Sequence, residues 1–590
     1  MHNQKPSCGS LAASKLFHSS KEPPLFFIMM RFNIKVALLM ISILGFFTMF
    51  VMWSLCGDKH FRELGGQLVK SRDSISSEEI DCFINNEYVI GCRKEGDDVF
   101  LPFSFLRKYF EIYGKLVNLD GVERFEWSHN SYNKIYYPKG RYDPRGVFMY
   151  FENYNVEMRD RVKYVSAIEG VPISTQWGSH GYFYATQIAQ FGLSHYSKNL
   201  TDPEPRRKVI EDSYKNQAKW IVTSDSFLDR IFDSNVSSNV MKFRTGDHIS
   251  DIIYLKMDHV LDFVMNVDLM LGGNSCLSVV LQNREKGDIY NLHYISTDVT
   301  IKVQENNIYH GIGNTQEWKT LTRDLIVDLD KGLNILREKS KHKRVPRSKL
   351  KITGISLFGY GLVSNLTLST SEHIQNFYNA AEWFVRYQDD NGGWPIPVRR
   401  HLANGFSDLQ PGWYSSMGQG HALSVLARAY YHSGRDTRYL KAAIAGLKPF
   451  TVPSSKGGVL TTFMNKYSWY EEYPTSPPSF VLNGFIYSLL GLYDLMKIAP
   501  SGQADLAEEL FNDGVYSLKN MITLFDMGSV TSYDLRHFTL SIAPNLARWD
   551  YHATHINQLL LLGKIMEEPL FTQTAERWRG YMNGKRAPHN

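Results

Sequence analysis

Three stretches of this chain set tyrosine beside carboxylate, guanidinium or imidazole, outside any apolar stripe. Trp469-Tyr-Glu-Glu-Tyr-Pro474 places Glu471, Glu472 and Tyr473 just ahead of an apolar run. Tyr533-Asp-Leu-Arg536-His537 follows another such run. Asn545-Leu-Ala-Arg548-Trp-Asp-Tyr551-His552 leads into a third, with His555 one turn further on. A single Tyr–Arg pair is ordinarily a structural hydrogen bond. Three such stretches in one region point instead to proton transfer, since tyrosines beside cations can have depressed pKa values. Competing chemistries lack their residues. There is no Gly-x-Ser-x-Gly elbow for a Ser/His/Asp hydrolase, and no glycine-rich turn or P-loop for a nucleotide cofactor. No Cys/His spacing suggests a structural zinc site.

Such loops need rigid elements to hold them. From Ser371 the apolar period is that of a helix. Ile374, Phe377, Ala381, Phe384 and Val385 make one face, with Ser371 as N-cap and Gly392-Gly393 closing the unit. Further faces run through Met417, Ala422, Val425, Leu426 and Ala429; Val481, Leu482, Phe485, Leu489, Leu490 and Tyr493; and Ile556, Leu559, Leu560 and Gly563. Helices joined by long loops rich in Trp, Tyr, Pro and Gly predict an incomplete α/α toroid over 369–590, with a cleft formed by the loops at one end. Over 201–368 the period is two. Phe263, Met265, Val267, Leu269 and Leu271 alternate, Gly272-Gly273-Asn274 turns, and Leu277, Val279 and Leu281 resume. Tyr290, Leu292 and Tyr294, then Val299, Ile301 and Val303, continue the pattern and predict an antiparallel β-sandwich. Residues 78–200 are rich in Tyr, Phe, Gly and Asn and predict an irregular, strand-containing domain. The basic run 337–351 is expected as a solvated loop, with an anionic polymer as the competing reading.

Composition sets the frame. A chain of 590 residues exceeds one hydrophobic core, and 43% hydrophobic with 21% charged residues excludes a disordered, collagenous or multi-span membrane protein. An aromatic share of 13% suits clefts for sugars, and a net charge of +5 fits an anionic partner. Val36 to Leu55 carries no charge over a length that matches a bilayer core, with Arg31 and Lys35 before it and Trp53 near its end. The expectation is a cytosolic segment at 1–35, a transmembrane signal anchor at 36–55, a stem at 56–77 and a luminal body, that is, a type II membrane protein. A cleaved signal peptide competes with this, and Met30 is a possible alternative start. Three N-x-[ST] sequons at Asn199, Asn235 and Asn365 agree with a secretory lumen. There Cys82 and Cys92 could close a hairpin disulfide, leaving Cys276 free and buried.

Met464–Phe485 (MNKYSWYEEYPTSPPSFVLNGF), Tyr533–Phe538 (YDLRHF), Ser541–Leu559 (SIAPNLARWDYHATHINQL) and Gly146–Gly178 closely resemble heparan sulfate D-glucuronyl C5-epimerases. Gly181–Thr201 and Gln388–Pro395 add to the match, which runs from about Glu79 to Asn590. The resemblance implies an α+β multidomain fold of N-terminal β-hairpin domain, β-sandwich and C-terminal α/α catalytic domain. It implies a homodimeric Golgi enzyme that converts D-glucuronate to L-iduronate in N-sulfated heparan and heparin precursor chains, with no organic cofactor and no nucleic-acid partner.

The implied chemistry removes the proton at C5, α to a carboxylate, and returns one to the opposite ring face. By resemblance Glu472, Tyr473, Tyr533, Arg536 and Tyr551 carry it. The preferred pair is Tyr551 on one face and Glu472, with Tyr473, on the other, while Tyr533 and Arg536 hold and polarise the carboxylate. A phenol titrating near 10 is a poor base, so Arg548 is expected to lower Tyr551. Cleft walls are implied at Tyr154, Arg159, Asp160, Arg161, Gln176, Tyr184, Gln187 and Gln190, with the two arginines suited to sulfate or carboxylate. The opposite side is implied at Ala403, Asn404, Gly405, Phe406, Asn483, Asn545, Arg548, Trp549, Asp550, His552 and Thr554. A structural Ca2+ site is implied at Asp212, Ser238 and Asn239, although Tyr214 stands where a carboxylate would be expected. A uronate polysaccharide lyase, which begins with the same abstraction, and a non-catalytic heparan-binding protein are the competing readings.

Overall fold

The computed structural model describes residues 77–84, 88–109, 112–119, 121–129, 133–214, 218–248, 250–336 and 344–588. The cytosolic segment expected at 1–35, the anchor expected at 36–55 and the stem up to its last residue lie outside them. Among the described residues no helix is long and apolar enough to cross a membrane.

The described residues up to 131 form one compact unit. Ser77–Ile84 pairs antiparallel with Tyr88–Glu95, which pairs in turn with Asp98–Phe100. Cys82 lies opposite Ile90 and Cys92 opposite Ile80, so the two cysteines are diagonal neighbours, and they form the expected disulfide with Cα atoms 5.9 Å apart. A second hairpin joins Ile112–Leu119 to Val122–His129 through Gly121, whose φ of 78° a residue with a Cβ would resist.

The chain from 132 onward forms the other unit. The packing therefore divides the segment expected as one domain at 78–200. Tyr142, Phe148, Phe151, Ile188, Phe191 and Tyr196 share a single core with Phe377, Leu426, Phe485 and Trp578 of the C-terminal helices. The cause is helix α1 (Ala185–Thr201), which is buried on every side from Ala185 to Lys198 and so shows no one-sided apolar stripe.

The sandwich forms over the predicted span, but it is not wholly antiparallel: 289–295 pairs parallel with 307–311, because the hairpin 301–311 lays its second strand beside 289–295, and Val299 is exposed outside any strand. A seven-stranded sheet runs in the order 220–221, 253–259, 350–358, 276–283, 289–295, 307–311, 301–304. The facing sheet runs 227–233, 238–244, 360–369, 264–271, 319–324, with 207–211 paired beside 360–369. Met265, Val267, Leu269 and Leu271 point inward against Leu277, Val279 and Leu281. Each such burial contributes roughly 1.5–3 kcal/mol, and a one-residue slip would turn the whole set outward. Helix α2 (Leu325–Leu336) adds Leu325, Leu329 and Leu333 to this core. Cys276 is buried outside any disulfide, and the sequon asparagines Asn199, Asn235 and Asn365 are exposed.

Beyond the sandwich the longer helices are α3 (His373–Arg386), α4 (Ser416–His432), α5 (Thr437–Ala445), α6 (Leu482–Ile498), α7 (Asp505–Met521), α8 (Trp549–Met566) and α9 (Pro569–Met582). The buried helices α1, α4, α6 and α8 pack in that succession, and α3, α5, α7 and α9 each back one of them, as in the incomplete α/α toroid expected at 369–590, here with α1 added. Helix α3 starts after Glu372 and not at Ser371, because the Glu372 carboxylate forks onto Arg207 at 2.8 Å without capping the helix. Helices α4 and α6 approach closely at glycine: a Cβ on Gly491 would stand 2.0 Å from the Gly420 carbonyl oxygen. A buried ion pair locks the same two helices. Arg428 Nη1 donates to Asp494 at 2.5 Å and to the Ser424 carbonyl at 3.1 Å, and the Tyr142 hydroxyl donates to Asp494 at 2.8 Å.

Candidate active site

The inner helices begin at one end of the toroid, where their N-cap residues are Tyr184 for α1, Ser415 for α4, Val481 for α6 and Arg548 for α8. Backbone bonds draw the intervening loops to that end. The Ser416 N–H donates to the Glu471 carbonyl at 3.0 Å, Leu482 N–H to the Tyr533 carbonyl at 3.1 Å, and Tyr533 N–H to the Asn545 carbonyl at 2.7 Å. Helix N-termini carry partial positive charge, so this end of the domain favours an anionic ligand.

Glu472 lies at the start of α6. A Cβ on Gly484 would come within 2.3 Å of its carboxylate, so glycine is what lets the carboxylate approach the helix so closely. The carboxylate accepts from Asn483 Nδ2 at 3.4 Å, and the Asn483 side-chain oxygen has no partner among the described residues. Burial pushes Glu472 up to about 7, against the opposing effects of the Tyr473 hydroxyl, Arg400 and Asn483. Glu471 is also raised by burial to about 7, but its bonding differs. Its carboxylate accepts from Ser479 Oγ at 2.6 Å, Ser479 N–H at 3.2 Å and Phe480 N–H at 2.9 Å, and thereby shapes the 471–480 loop.

The expected tyrosines gather around Glu472. Tyr473 packs between Trp413 and Trp177, with ring centroids 5.8 and 6.1 Å away, and the Tyr533 and Tyr551 rings meet edge to face at 4.8 Å. Burial, then the charge of Glu472, raises all three phenols above their ordinary value. The expectation that Arg548 lowers Tyr551 is thus overturned. Its guanidinium stands 5.5 Å from the Tyr551 ring and does act downward, as does Arg161, but burial, Glu472 and Asp550 outweigh both. The site holds neutral phenols, which are proton donors, beside one carboxylate that titrates near neutrality.

Arg536 also departs from expectation. Its Nε and Nη2 fork onto the buried Asp534 at 2.9 and 2.6 Å, and Asn545 Nδ2 donates to the same carboxylate at 2.8 Å. Its charge is largely matched by Asp534, and its guanidinium lies 5.7 Å from the Phe406 ring. On the opposite wall Arg159 reaches Gln190 and lies 5.0 Å from the Tyr154 ring, while Arg161 donates to Gln176 at 3.2 Å. Asp160 is exposed; Tyr184, Gln187 and Gln190 are buried on α1, and both amide atoms of Gln187 lack partners among the described residues. Ala403, Asn404, Gly405 and Phe406 lie on a loop tied to the Glu472 loop by Ser407 N–H to the Ser476 carbonyl at 2.8 Å.

Among the α8 residues, Arg548 pairs with Asp550 at 2.8 Å, and the Thr554 hydroxyl caps the Asp550 carbonyl at 2.9 Å. His552 does not join the cluster. Its ring is buried between Thr531, at 3.0 Å, and the Trp578 carbonyl, at 2.9 Å, with Trp549 edge-on at 5.3 Å. Successive helical residues point about 100° apart, so His552 cannot share the direction of Tyr551.

Sequence reasoning missed Arg400, Trp177, Trp413 and Asp534. Arg400 pairs with Leu409 in an extended bridge, where side chains alternate. Arg399 and His401 both pair with Asp408, and Arg400 turns to the other side, its guanidinium 4.8 Å from the Trp177 ring and 6.0 Å from Tyr473. Arg399-Arg400-His401 is uniformly basic in sequence, so no signal there set Arg400 apart. A separate apolar cavity of about 540 Å³, lined by Phe463, Met464, Phe480, Met521 and Leu524 among others, holds none of these groups.

The implied calcium residues Asp212 and Ser238 are linked through Tyr214. Asp212 accepts from the Tyr214 N–H at 3.0 Å, and the Tyr214 hydroxyl meets Ser238 Oγ at 3.0 Å. Asp212, Ser238 and Asn239 supply one carboxylate, and the neighbouring Glu211 is bound to Arg230 at 2.6 Å. Among the described residues no three His, Cys, Asp or Glu side chains group as metal ligands.

Comparison with known proteins bears on both halves of the larger unit. Residues 388–580 match the model of the D-glucuronyl C5-epimerase C-terminus, and 237–360 match its β-sandwich domain. A D-glucuronyl C5-epimerase of Caenorhabditis elegans is 38% identical over 561 residues, covering 87% of this chain and 90% of that protein. An uncharacterized protein of Methanocaldococcus jannaschii is 33% identical over 178 residues, 29% of this chain and 53% of that protein. Solved structures include a family 29 carbohydrate binding module, 11% identical with a TM-score of 0.17 over 29% of this chain and 95% of that one, a likeness too slight to carry argument. An α+β chain with a sandwich and a helical domain, matched on both, is an isomerase. It belongs to the D-glucuronyl C5-epimerase family.

Proposed function

We propose that this epimerase converts D-glucuronate to L-iduronate within N-sulfated heparan and heparin precursor chains, moving the C5 proton between Glu472 and Tyr551. The observation that carries the reading is the contrast inside one cluster: Glu472 titrates near 7, while Tyr473, Tyr533 and Tyr551 are held protonated. A general base is most effective when its pKa lies near the working pH, and a neutral phenol is a competent acid.

In the forward direction the Glu472 carboxylate takes the C5 proton, and the electron pair moves into the C6 carboxylate, which then bears a second negative charge. The Tyr551 O–H delivers a proton to the opposite face of C5, and the pair returns from the carboxylate to form the new C–H bond. Tyrosinate and protonated Glu472 remain. Tyr533 and Tyr473 bridge these two groups and give the proton a route back, which resets the site. Helix N-termini and Arg161 offset the transient charge. The inward-facing walls from Tyr154 to Gln190 and from Ala403 to Phe406 would hold the polysaccharide.

The same reading places the enzyme as a homodimer in the Golgi membrane, with 36–55 as a type II anchor and the body in the lumen, where the exposed sequons would be glycosylated. The test is the full chain with N-sulfated heparosan in deuterated water. Deuterium at C5 with iduronate in the product, and no ultraviolet absorbance from an unsaturated uronate, is the expected result. Unsaturated product would make the protein a lyase, and binding without exchange would make it a heparan-binding protein.

A further inference from the structure

Three guanidinium groups around the cluster are paired with carboxylates. Arg536 forks onto Asp534, Arg399 pairs with Asp408, and Arg548 pairs with Asp550. Arg159 donates to Gln190, and Arg161 donates to Gln176. Arg400, like Arg159 and Arg161, has no carboxylate partner among the described residues, but unlike them its side chain makes no hydrogen bond there. Its backbone is fixed by two hydrogen bonds with Leu409, each 2.9 Å, and its guanidinium is held against Trp177 at 4.8 Å and near Tyr473 at 6.0 Å. No carboxylate pairs with it among the described residues, and its Nε is buried without a hydrogen-bond partner.

A stacked guanidinium with an open N–H edge is the arrangement that binds planar or tetrahedral oxyanions through paired hydrogen bonds. The rings of Trp177 and Tyr473 lie against the group, and its side-chain N–H donors have no partner among the described residues. Resting on the epimerase reading above, we infer that Arg400 is an oxyanion-binding residue of the cleft, which takes a carboxylate or N-sulfate group of the polyuronate on the Trp177–Tyr473 wall. A buried donor that stays unpaired carries a desolvation penalty, and a bound oxyanion removes it. Arg400 also acts downward on the Glu472 carboxyl, so an anion bound at Arg400 would weaken that effect and make Glu472 more basic while substrate is present. The other ionisable groups coupled to Glu472 are Tyr184, Tyr473, Tyr533 and Tyr551, all of which it raises.

The test compares the full chain with its Arg400→Met and Arg400→Lys variants on three heparosan oligosaccharides: N-sulfated, N-acetylated, and N-sulfated with the uronate carboxyls reduced. C5 exchange is read on the first two and affinity on all three. Arg400→Met should lower kcat/KM about 10- to 100-fold on the N-sulfated chain, and Arg400→Lys should recover part of that loss by keeping the charge. If the N-sulfate is the anion, the preference for N-sulfated over N-acetylated chain falls to about one in Arg400→Met. If it is the carboxylate, the preference for the acid over the reduced chain collapses instead, and the N-sulfate preference survives.

Exchange by the wild type with both preferences unchanged in Arg400→Met would overturn the inference and leave the epimerase reading intact. Absence of exchange by a wild type that binds the chain would overturn that reading, and the affinities alone would then judge Arg400. Thermal midpoints check folding, and should Arg400→Met fail to fold, Arg400→Lys is read by the same two preferences.

Discussion

Two buried polar clusters sit in the same helical unit and are built on opposite terms. At the first, Asp494 is met by Arg428 and by the Tyr142 hydroxyl, and Arg428 spends further donors on the Ser424 and Gly146 carbonyls at 3.1 and 3.3 Å. Every charge has a partner, and three chain segments are tied together. At the second, Glu472 has one long bond from Asn483, and no lysine or arginine pairs with it among the described residues. Its other neighbours are phenols and, without a paired contact, the Arg400 guanidinium. Matched burial fixes structure, whereas burial without a counter-charge stores proton affinity. The adjacent pair Glu471 and Glu472 repeats the contrast within two residues: three hydrogen bonds hold the first to its loop, while the second is left to react.

Substitutions at each cluster should separate along this line. Glu472→Gln is expected to lower kcat for C5 exchange by about 10³-fold or more, since it removes the base while keeping size and polarity. Its thermal midpoint should not fall. Asp494→Asn should do the reverse: leaving the Arg428 charge buried and unmatched costs about 3–5 kcal/mol of stability, read from denaturant melts, while the molecules that remain folded keep their kcat. An unfolded Glu472→Gln, or a stable Asp494→Asn without exchange, would invert the comparison. Tyr551→Phe is next in size, with exchange expected to fall about 10²-fold because the phenyl ring keeps the contact with Tyr533 and loses only the proton donor. Retained exchange there would shift the acid role to Tyr533 or Tyr473.

How much of this was legible in the sequence follows from how one-sided each signal is. The sandwich was readable because Met265, Val267, Leu269 and Leu271 face a core on one side only. Helices α4, α6 and α8 were readable from their apolar runs. Helix α1 was not, because Gln187, Gln190, Ser194 and His195 are buried among apolar residues and blur its period. At the site, the candidate residue types were visible in their motifs, but their electrostatics were not. The Tyr551 phenol is raised, not lowered, and Arg536 is bound to Asp534, and both depend on distances between segments far apart in the chain. His552 points away from the cluster because it lies one residue, about 100° of helical phase, beyond Tyr551. Arg400 was passed over because Arg399-Arg400-His401 looks like a uniform basic run until the bridge at Leu409 gives it two sides.

The smallest expected effect tests Glu472 through proton linkage. Burial raises its carboxyl from 4.5 to about 7 in the folded protein. Between those values the folded state binds more protons at this group than the unfolded chain does, so its contribution to stability is complete below about pH 4.5 and is lost as pH rises through 7. Above that range an ionised carboxylate stays buried at a cost. Glu472→Gln removes the titration, so its midpoint relative to wild type should climb by a few degrees from pH 5 to pH 8. Over the same interval wild-type exchange should rise with the ionised fraction, so activity and stability move in opposite directions. Glu471→Gln provides the contrast, since it disturbs the bonds to Ser479 and Phe480 and should lower the midpoint at both pH values. If Glu472→Gln shows no change with pH relative to wild type, the raised carboxyl is not at Glu472, and the limb of the pH–activity profile must be assigned to another group.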